Sequence, residues 1–183
     1  MTATAAIKRM GAEEFLSWVE TYEGGRYELY HGEIFAMAPE RARHVTAKFN
    51  MARALSNAIT RAKTPCQAFV DGLGVQIDDQ TVFQPDALVN CGDPAPLESL
   101  LAPAPMIVVD VLSPSSHGLD TNIKLTGYFR LASVMHYLIV DLQRRLILHY
   151  RRDGAQIALA VVRDGDIALD PPGLAIKLDD IFA

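Results

Sequence analysis

Three side chains stand out for their chemistry: Asp86 in VFQPDALV, Asp110 in APMIVVDVLSPSS and Lys124 in DTNIKLTGYF. Both acids lie inside apolar runs of the kind that form strands covered on both faces. A carboxylate buried there without a partner is costly, so it takes a proton, pairs, or binds a cation. If the two strands are neighbours, the acids converge, and one pKa rises unless a cation lies between them. Mg²⁺ suits such a pair, because it takes oxygen ligands and is usually held by one or two carboxylates plus waters. The backbone carbonyl of Val111, beside Asp110, is a further candidate ligand. Each acid alone is also accounted for by a strand end facing solvent or by a loop cap; the pair points to a metal.

Asp120, Lys124 and Tyr128 are spaced i, i+4, i+8 and stack along one helical stripe. The bland account is a surface Asp120–Lys124 pair, worth a few tenths of a kcal/mol. The functional account sets the Lys124 ammonium over the metal site, to orient or deprotonate a water or to stabilise charge on a phosphate. Other chemistries find less support. Ser113, Ser115 and Ser116 beside His117 lack a G-x-S-x-G elbow, and a Ser/Pro-rich loop before a helix is the simpler account. The histidines 31, 44, 117, 136 and 149 form no H-x3-H pair, which argues against zinc. Gly72 and Gly74 are followed by no helix start or Lys-Ser/Thr, so they form no phosphate loop.

These residues need a scaffold. The GAEEFLSWVETY stretch places Phe15, Leu16 and Val19 at helical spacing, and RYELYHGEIFAM reads as a hairpin around a His-Gly pair. Residues 42–62 show Val45, Phe49, Ala52, Leu55 and Ile59 at steps of three or four, which predicts a long helix with one apolar stripe. QAFVDGLGVQI and TVFQPDALV read as strand runs, with Pro85 making the chain irregular just before Asp86. The strand with Asp110, a helix over 120–131 and the strand MHYLIVDL follow. Residues 145–169 read as a meander turned at Asp153-Gly154 and Asp164-Gly165. Strands flanked by helices, with apolar central strands, predict an α/β sheet sandwiched by helices.

The 183 residues suit one domain with a substantial core. No apolar run is long enough to span a bilayer, and the N-terminus lacks the apolar h-region of a signal peptide. Cys66 and Cys91, with no C-x-x-C spacing, read as free thiols in a reducing cytoplasm. The net charge of −5 argues mildly against nucleic acid. Residues 41–63, however, hold Arg41, Arg43, Lys48, Arg53, Arg61 and Lys63 and no acid. Such an element either touches phosphates or forms a solvated helix face.

The sequence resembles the Uma2 family of bacterial proteins, within the PD-(D/E)XK nuclease superfamily. FQPDALV matches the PD motif, and MIVVDVLSPSS is similar to the family's V-E-V-L-S-P-S-T run with Asp110 in place of Glu. DTNIKLTGYFRLASVMHYLIVDL is similar to its D-x3-K-x3-Y helix and following strand. EEFLSW with YELYHGEIFAMAP resembles the family's opening helix and hairpin, His44 matches the histidine that starts its long helix, and GLAIKLDDIF resembles its ending. The resemblance implies a restriction-endonuclease-like αβββαβ core: a mixed sheet flanked by helices, with an N-terminal helix-hairpin and C-terminal antiparallel strands added. It implies Asp86 and Asp110 as metal ligands, and Lys124 as the lysine that the superfamily usually carries two residues after the second acid, where Leu112 stands here. Glu28, His44 and Tyr128 are accessory candidates. Ser133, His136 and Leu138 depart from the family's usual Gly, Glu and Trp. The expected function is an endonuclease cutting DNA with Mg²⁺, or Mn²⁺ in its place, its backbone guided by Arg41, Arg43, Lys48 and Arg53. A homodimer is expected because cutting both strands takes two sites. The second reading is a nuclease-fold module that binds DNA or a protein partner without cutting.

Overall fold

A computed structural model describes residues 9–22, 24–112 and 121–182. A six-stranded sheet, ordered β10-β9-β8-β7-β6-β3, forms its centre. Its strands are β3 (Cys66–Val70), β6 (Ala87–Cys91), β7 (Pro105–Val111), β8 (His136–Asp141), β9 (Leu146–Asp153) and β10 (Gln156–Val162). The β7–β8 pair is parallel and the other pairs are antiparallel. Helix α3 (Thr121–Tyr128) makes the β7–β8 crossover, and helix α2 (Ala42–Ala62) precedes β3. Reading α2-β3-β6-β7-α3-β8 therefore gives the αβββαβ core.

Alternation along the strands sorts the sheet's two faces. Ala87, Val89, Ile107, Val109, Val111, Leu138 and Val140 pack with Ala47, Met51, Ala54, Leu55 and Ala58 of α2. The hairpin β11 (Asp166–Leu169) and β12 (Leu174–Lys177) covers part of the same face. Leu88, Val108, Tyr137 and Ile139 face the other way, against Tyr128, Phe129, Phe83, Val75 and Ile77. Asp110 falls on this second face by the same alternation. A smaller sheet, β2-β1-β5-β4, carries Phe83. Its strands are β1 (Tyr27–Tyr30), β2 (Glu33–Ala36), β4 (Val75–Asp78) and β5 (Thr81–Phe83), and helix α1 (Ala12–Thr21) seals its end with Phe15 on Leu29 and Val82. His31 and Gly32, both at positive φ, turn the β1–β2 hairpin as a type I′ turn requires.

Three expectations are corrected. The apolar stripe of α2 lies about one residue away from the expected one: Val45 and Phe49 are 50% and 58% exposed, while a row of alanines lets the helix press onto the sheet. Cys66 and Cys91 are not free thiols but form a disulfide, since the β3–β6 register sets them directly opposite. QAFVDGLGVQI and TVFQPDALV each divide between the two sheets. The chain leaves the small sheet after Phe83 and joins the large one at Ala87, with Pro85 between them. Among the described residues no helix is long and apolar enough to cross a membrane.

Candidate active site

The passage from β5 to β6 positions Asp86. The β6–β7 register pairs Ala87 with Val109, so Asp86 lies just before the first paired residue of β6, beside the end of β7 that carries Asp110. The Asp86 N–H donates to the Val109 carbonyl (2.8 Å). Its side chain receives the Val111 N–H on Oδ2 (2.6 Å) and is 7% exposed. The acid is thus fastened to the strand that carries Asp110.

The second acid is met from α3 and β8. Lys124 Nζ lies 3.1 Å from Asp110 Oδ1 and 2.8 Å from Glu28 Oε1. Tyr137 donates its hydroxyl to Asp110 Oδ2 (2.8 Å). Glu28, on β1, is itself held by the Gln84 N–H (2.8 Å), so the small sheet supplies one wall of the site. Gly127 sets the height of α3. A Cβ there would stand 2.5 Å from Phe83 Cε2, so only glycine lets the helix bring Lys124 down to the acids. Tyr128 is fully buried, its ring against Phe83 and Tyr137, and its hydroxyl makes no hydrogen bond among the described residues. The expected Asp120–Lys124 pair and the serines beside His117 lie outside the described residues.

Helix α2 closes the Asp86 side. His44 Nε2 is 3.4 Å from Asp86 Oδ2. Lys48, counted by its sequence among the basic residues that guide DNA, is turned inward and 1% exposed. Its Nζ sits 2.6 Å from Glu40 Oε1, 2.6 Å from Asp71 Oδ1 and 3.3 Å from Asp86 Oδ1. Arg26 bridges Glu40 and Asp71 as well (3.1 and 2.8 Å). Carboxylates pull Lys48 out of the solvated face, whereas Arg41 and Arg43 remain exposed at the start of α2. Arg53 is exposed too, over the Phe49 ring and bonded to Asn50.

Five carboxylates (Glu28, Glu40, Asp71, Asp86 and Asp110) thus meet three fixed cations (Arg26, Lys48 and Lys124), leaving two negative charges before His44 is counted. The imbalance falls on Asp110. Burial pushes its carboxyl up to about 6; the Asp86 and Glu28 charges add to this, against Lys124 and the Tyr137 hydrogen bond. Burial also acts to raise Asp86, but His44, the Val111 N–H and Lys48 outweigh it and hold that carboxyl below its ordinary value. For Lys124, the Asp110 and Glu28 charges overcome burial and keep the ammonium firmly protonated. Asp86 and Asp110 offer oxygen donors with spare lone pairs of the kind a divalent cation takes, but the triad of close ligand atoms among the described residues does not include Asp110. Glu40, His44 and Asp86 form a second donor set, with ligand atoms within 4.8 Å of one another, although Lys48 already places positive charge against two of its members.

Tyr137, Glu40, Asp71 and Arg26 were not singled out from the sequence. One signal was present: His44 and Lys48, four residues apart, share one face of the first turns of α2, and Glu40 stands just before the helix.

The architecture is that of a nuclease fold. It is similar to the crystal structure of a "putative nuclease belonging to DUF820" from Anabaena variabilis, with a TM-score of 0.72. The match covers 94% of this chain and 97% of that one at 16% sequence identity, and so is a likeness of fold. Residues 12–179 match the family described as "Uma2: Putative restriction endonuclease", and the chain belongs to that family. Two uncharacterized Synechocystis proteins, sll1609 and slr1290, are each 27% identical to it. The first alignment covers 84% of this chain and 87% of the relative, the second 98% and 94%.

Proposed function

We propose that the protein is a Mg²⁺-dependent endonuclease acting on DNA phosphodiester bonds. The observation that supports this reading is Lys124 on Asp110, with Asp86 fastened to the adjoining Val111 N–H, within a fold similar to that of a nuclease. Asp86 and Asp110 would hold the ion. The Val111 carbonyl would join them: Leu112 N–H bonds β8, so the Val111 backbone groups emerge on the Asp86 side. Bound there, Mg²⁺ supplies Lewis acidity to a phosphate oxygen and lowers the pKa of a water. Lys124 holds its proton and faces developing negative charge, with Glu28 fixing its direction. Tyr137 orients Asp110 through Oδ2. Arg41 and Arg43 lie exposed within one helical turn of His44, where a DNA backbone would pass, so binding weakens steeply with salt.

The test is conversion of supercoiled plasmid to nicked or linear forms. Wild-type protein cuts with Mg²⁺ or Mn²⁺ and not with EDTA, and Asp86→Asn cuts at least about 10–100-fold more slowly, the usual cost of losing even a partner of a metal ligand. DNA binding without cutting under every metal condition would support the non-cleaving module instead.

A further inference from the structure

Lys48 is buried among three carboxylates, and they do not hold it equally. Its Nζ lies 2.6 Å from Glu40 Oε1, 2.7 Å from Glu40 Oε2 and 2.6 Å from Asp71 Oδ1, but 3.3 Å from Asp86 Oδ1. A charge-assisted N–H···O bond is usually about 2.7–2.9 Å long, so Asp86 has the loosest hold on the ammonium. Asp86 Oδ2 is already occupied by the Val111 N–H (2.6 Å), with His44 Nε2 3.4 Å away. Oδ1 is therefore the oxygen of Asp86 better placed to ligate a cation, and Lys48 is the group that competes for it.

We infer that Glu40 and Asp71 are positioning residues: they draw the Lys48 ammonium back from Asp86 Oδ1 and keep that oxygen open to a divalent cation. Both acids are themselves fixed. Arg26 Nη1 bridges Glu40 Oε1 (3.1 Å) and Asp71 Oδ1 (2.8 Å), so the two carboxylates stand together as one fork on Lys48. Asp71 is held at φ +52, a left-handed conformation that L residues rarely adopt and that Asp tolerates better than most. Backbone strain of this kind clusters at functional sites. The Asp71 N–H donates to the Asp86 carbonyl (3.1 Å), so the strained turn is tied to the main chain of the very acid its side chain serves. An ammonium fully paired with Asp86 Oδ1 must be displaced before an ion binds there. Held back by the fork, Lys48 still keeps Asp86 ionised through its charge without occupying the oxygen. The inference rests on the reading of Asp86 as a metal ligand and adds the residues that leave it accessible.

Mn²⁺ binding to the full chain is measured by electron paramagnetic resonance of the free ion, for wild type, Asp71→Asn and Asp86→Asn. Crystal structures of metal-free Asp71→Asn and Glu40→Gln locate Lys48. Asn tolerates the same positive φ, and Asp71 lies outside the Glu40, His44 and Asp86 donor set, so Asp71→Asn neither strains the turn nor deletes a ligand. It should weaken Mn²⁺ binding about fivefold, the upper end for a partly exposed ion pair. In both variants Lys48 Nζ should close from 3.3 Å to about 2.8 Å from Asp86 Oδ1. If Asp71→Asn fails to fold, the Glu40→Gln structure decides. A charge acting only through space would weaken binding and leave Nζ where it is, and that result would overturn the inference. Binding lost in Asp86→Asn but unaltered in Asp71→Asn would overturn the inference alone. Binding to Asp86→Asn as tight as to wild type would remove the metal reading, and the inference with it.

Discussion

Replacing Lys124 by Met should destabilise the protein in a pH-dependent way. The substitution keeps the stem's bulk and removes the ammonium that lies 2.8 Å from Glu28 and 3.1 Å from Asp110, all three side chains being at most 13% exposed. Two buried carboxylates are then left without their cation, a change that costs about 3–5 kcal/mol. For a chain of this size that corresponds to roughly 6–20 °C in Tm. Asp110 titrates near 6 in the folded protein, raised from the ordinary 3.8, chiefly by burial. Folding therefore favours its protonated form, and the Asp110 contribution to stability falls as pH rises from about 4 to about 6, while buried His149 and His136, with lowered pKa values, contribute in the opposite sense to wild type and variant alike. Without Lys124 the Asp110 pKa moves higher still, so the falling window extends above 6 and the variant's deficit widens toward about pH 8. At about pH 5, Asp110 carries a proton in both proteins and the deficit is smaller. Urea unfolding followed by circular dichroism, in EDTA at both pH values, measures the difference. An equal loss at the two pH values, or a loss under about 1 kcal/mol at the higher one, would refute the reasoning.

Lys48→Met should cost less, about 1–3 kcal/mol, since Glu40 and Asp71 are 22% and 38% exposed and keep Arg26, and Mn²⁺ should raise the variant's Tm more than that of wild type because the vacated charge falls beside Glu40, His44 and Asp86. Gly127→Ala should lose about 1–3 kcal/mol in urea unfolding, as its Cβ meets Phe83. Reducing the Cys66–Cys91 disulfide, which spans 25 residues, should lower stability by about 2–4 kcal/mol, measured as the Tm difference with and without reductant.

Much of the fold was legible because its signals are local. The spacing over 42–62 gave helix α2 its limits, the His-Gly pair gave the β1–β2 turn, and apolar runs marked β6, β7 and β8. The outer strand runs were less legible, since hydropathy marks a strand without saying which sheet it joins, and QAFVDGLGVQI serves two. The Cys66–Cys91 pairing depends on register between strands far apart in sequence. Periodicity alone misplaced the buried face of α2: Val45 and Phe49 are more hydrophobic than the alanines, but close approach to the sheet favours small residues, and carboxylates from three other segments draw Lys48 inward. Asp86 and Asp110 could be picked out because acids are conspicuous in apolar strand runs, whereas Lys124 rested on its helical stripe with Asp120 and Tyr128 and on the family resemblance. Tyr137 could not, since a tyrosine in a buried strand looks like core until its hydroxyl is seen on Asp110.

Anomalous diffraction from crystals grown with Mn²⁺ tests the account at its centre. The expected result is one peak at coordination distance from an Asp86 oxygen and an Asp110 oxygen, with Lys124 alongside. A peak held by Glu40, His44 and Asp86 with Asp110 untouched, or no peak at saturating Mn²⁺, would contradict it.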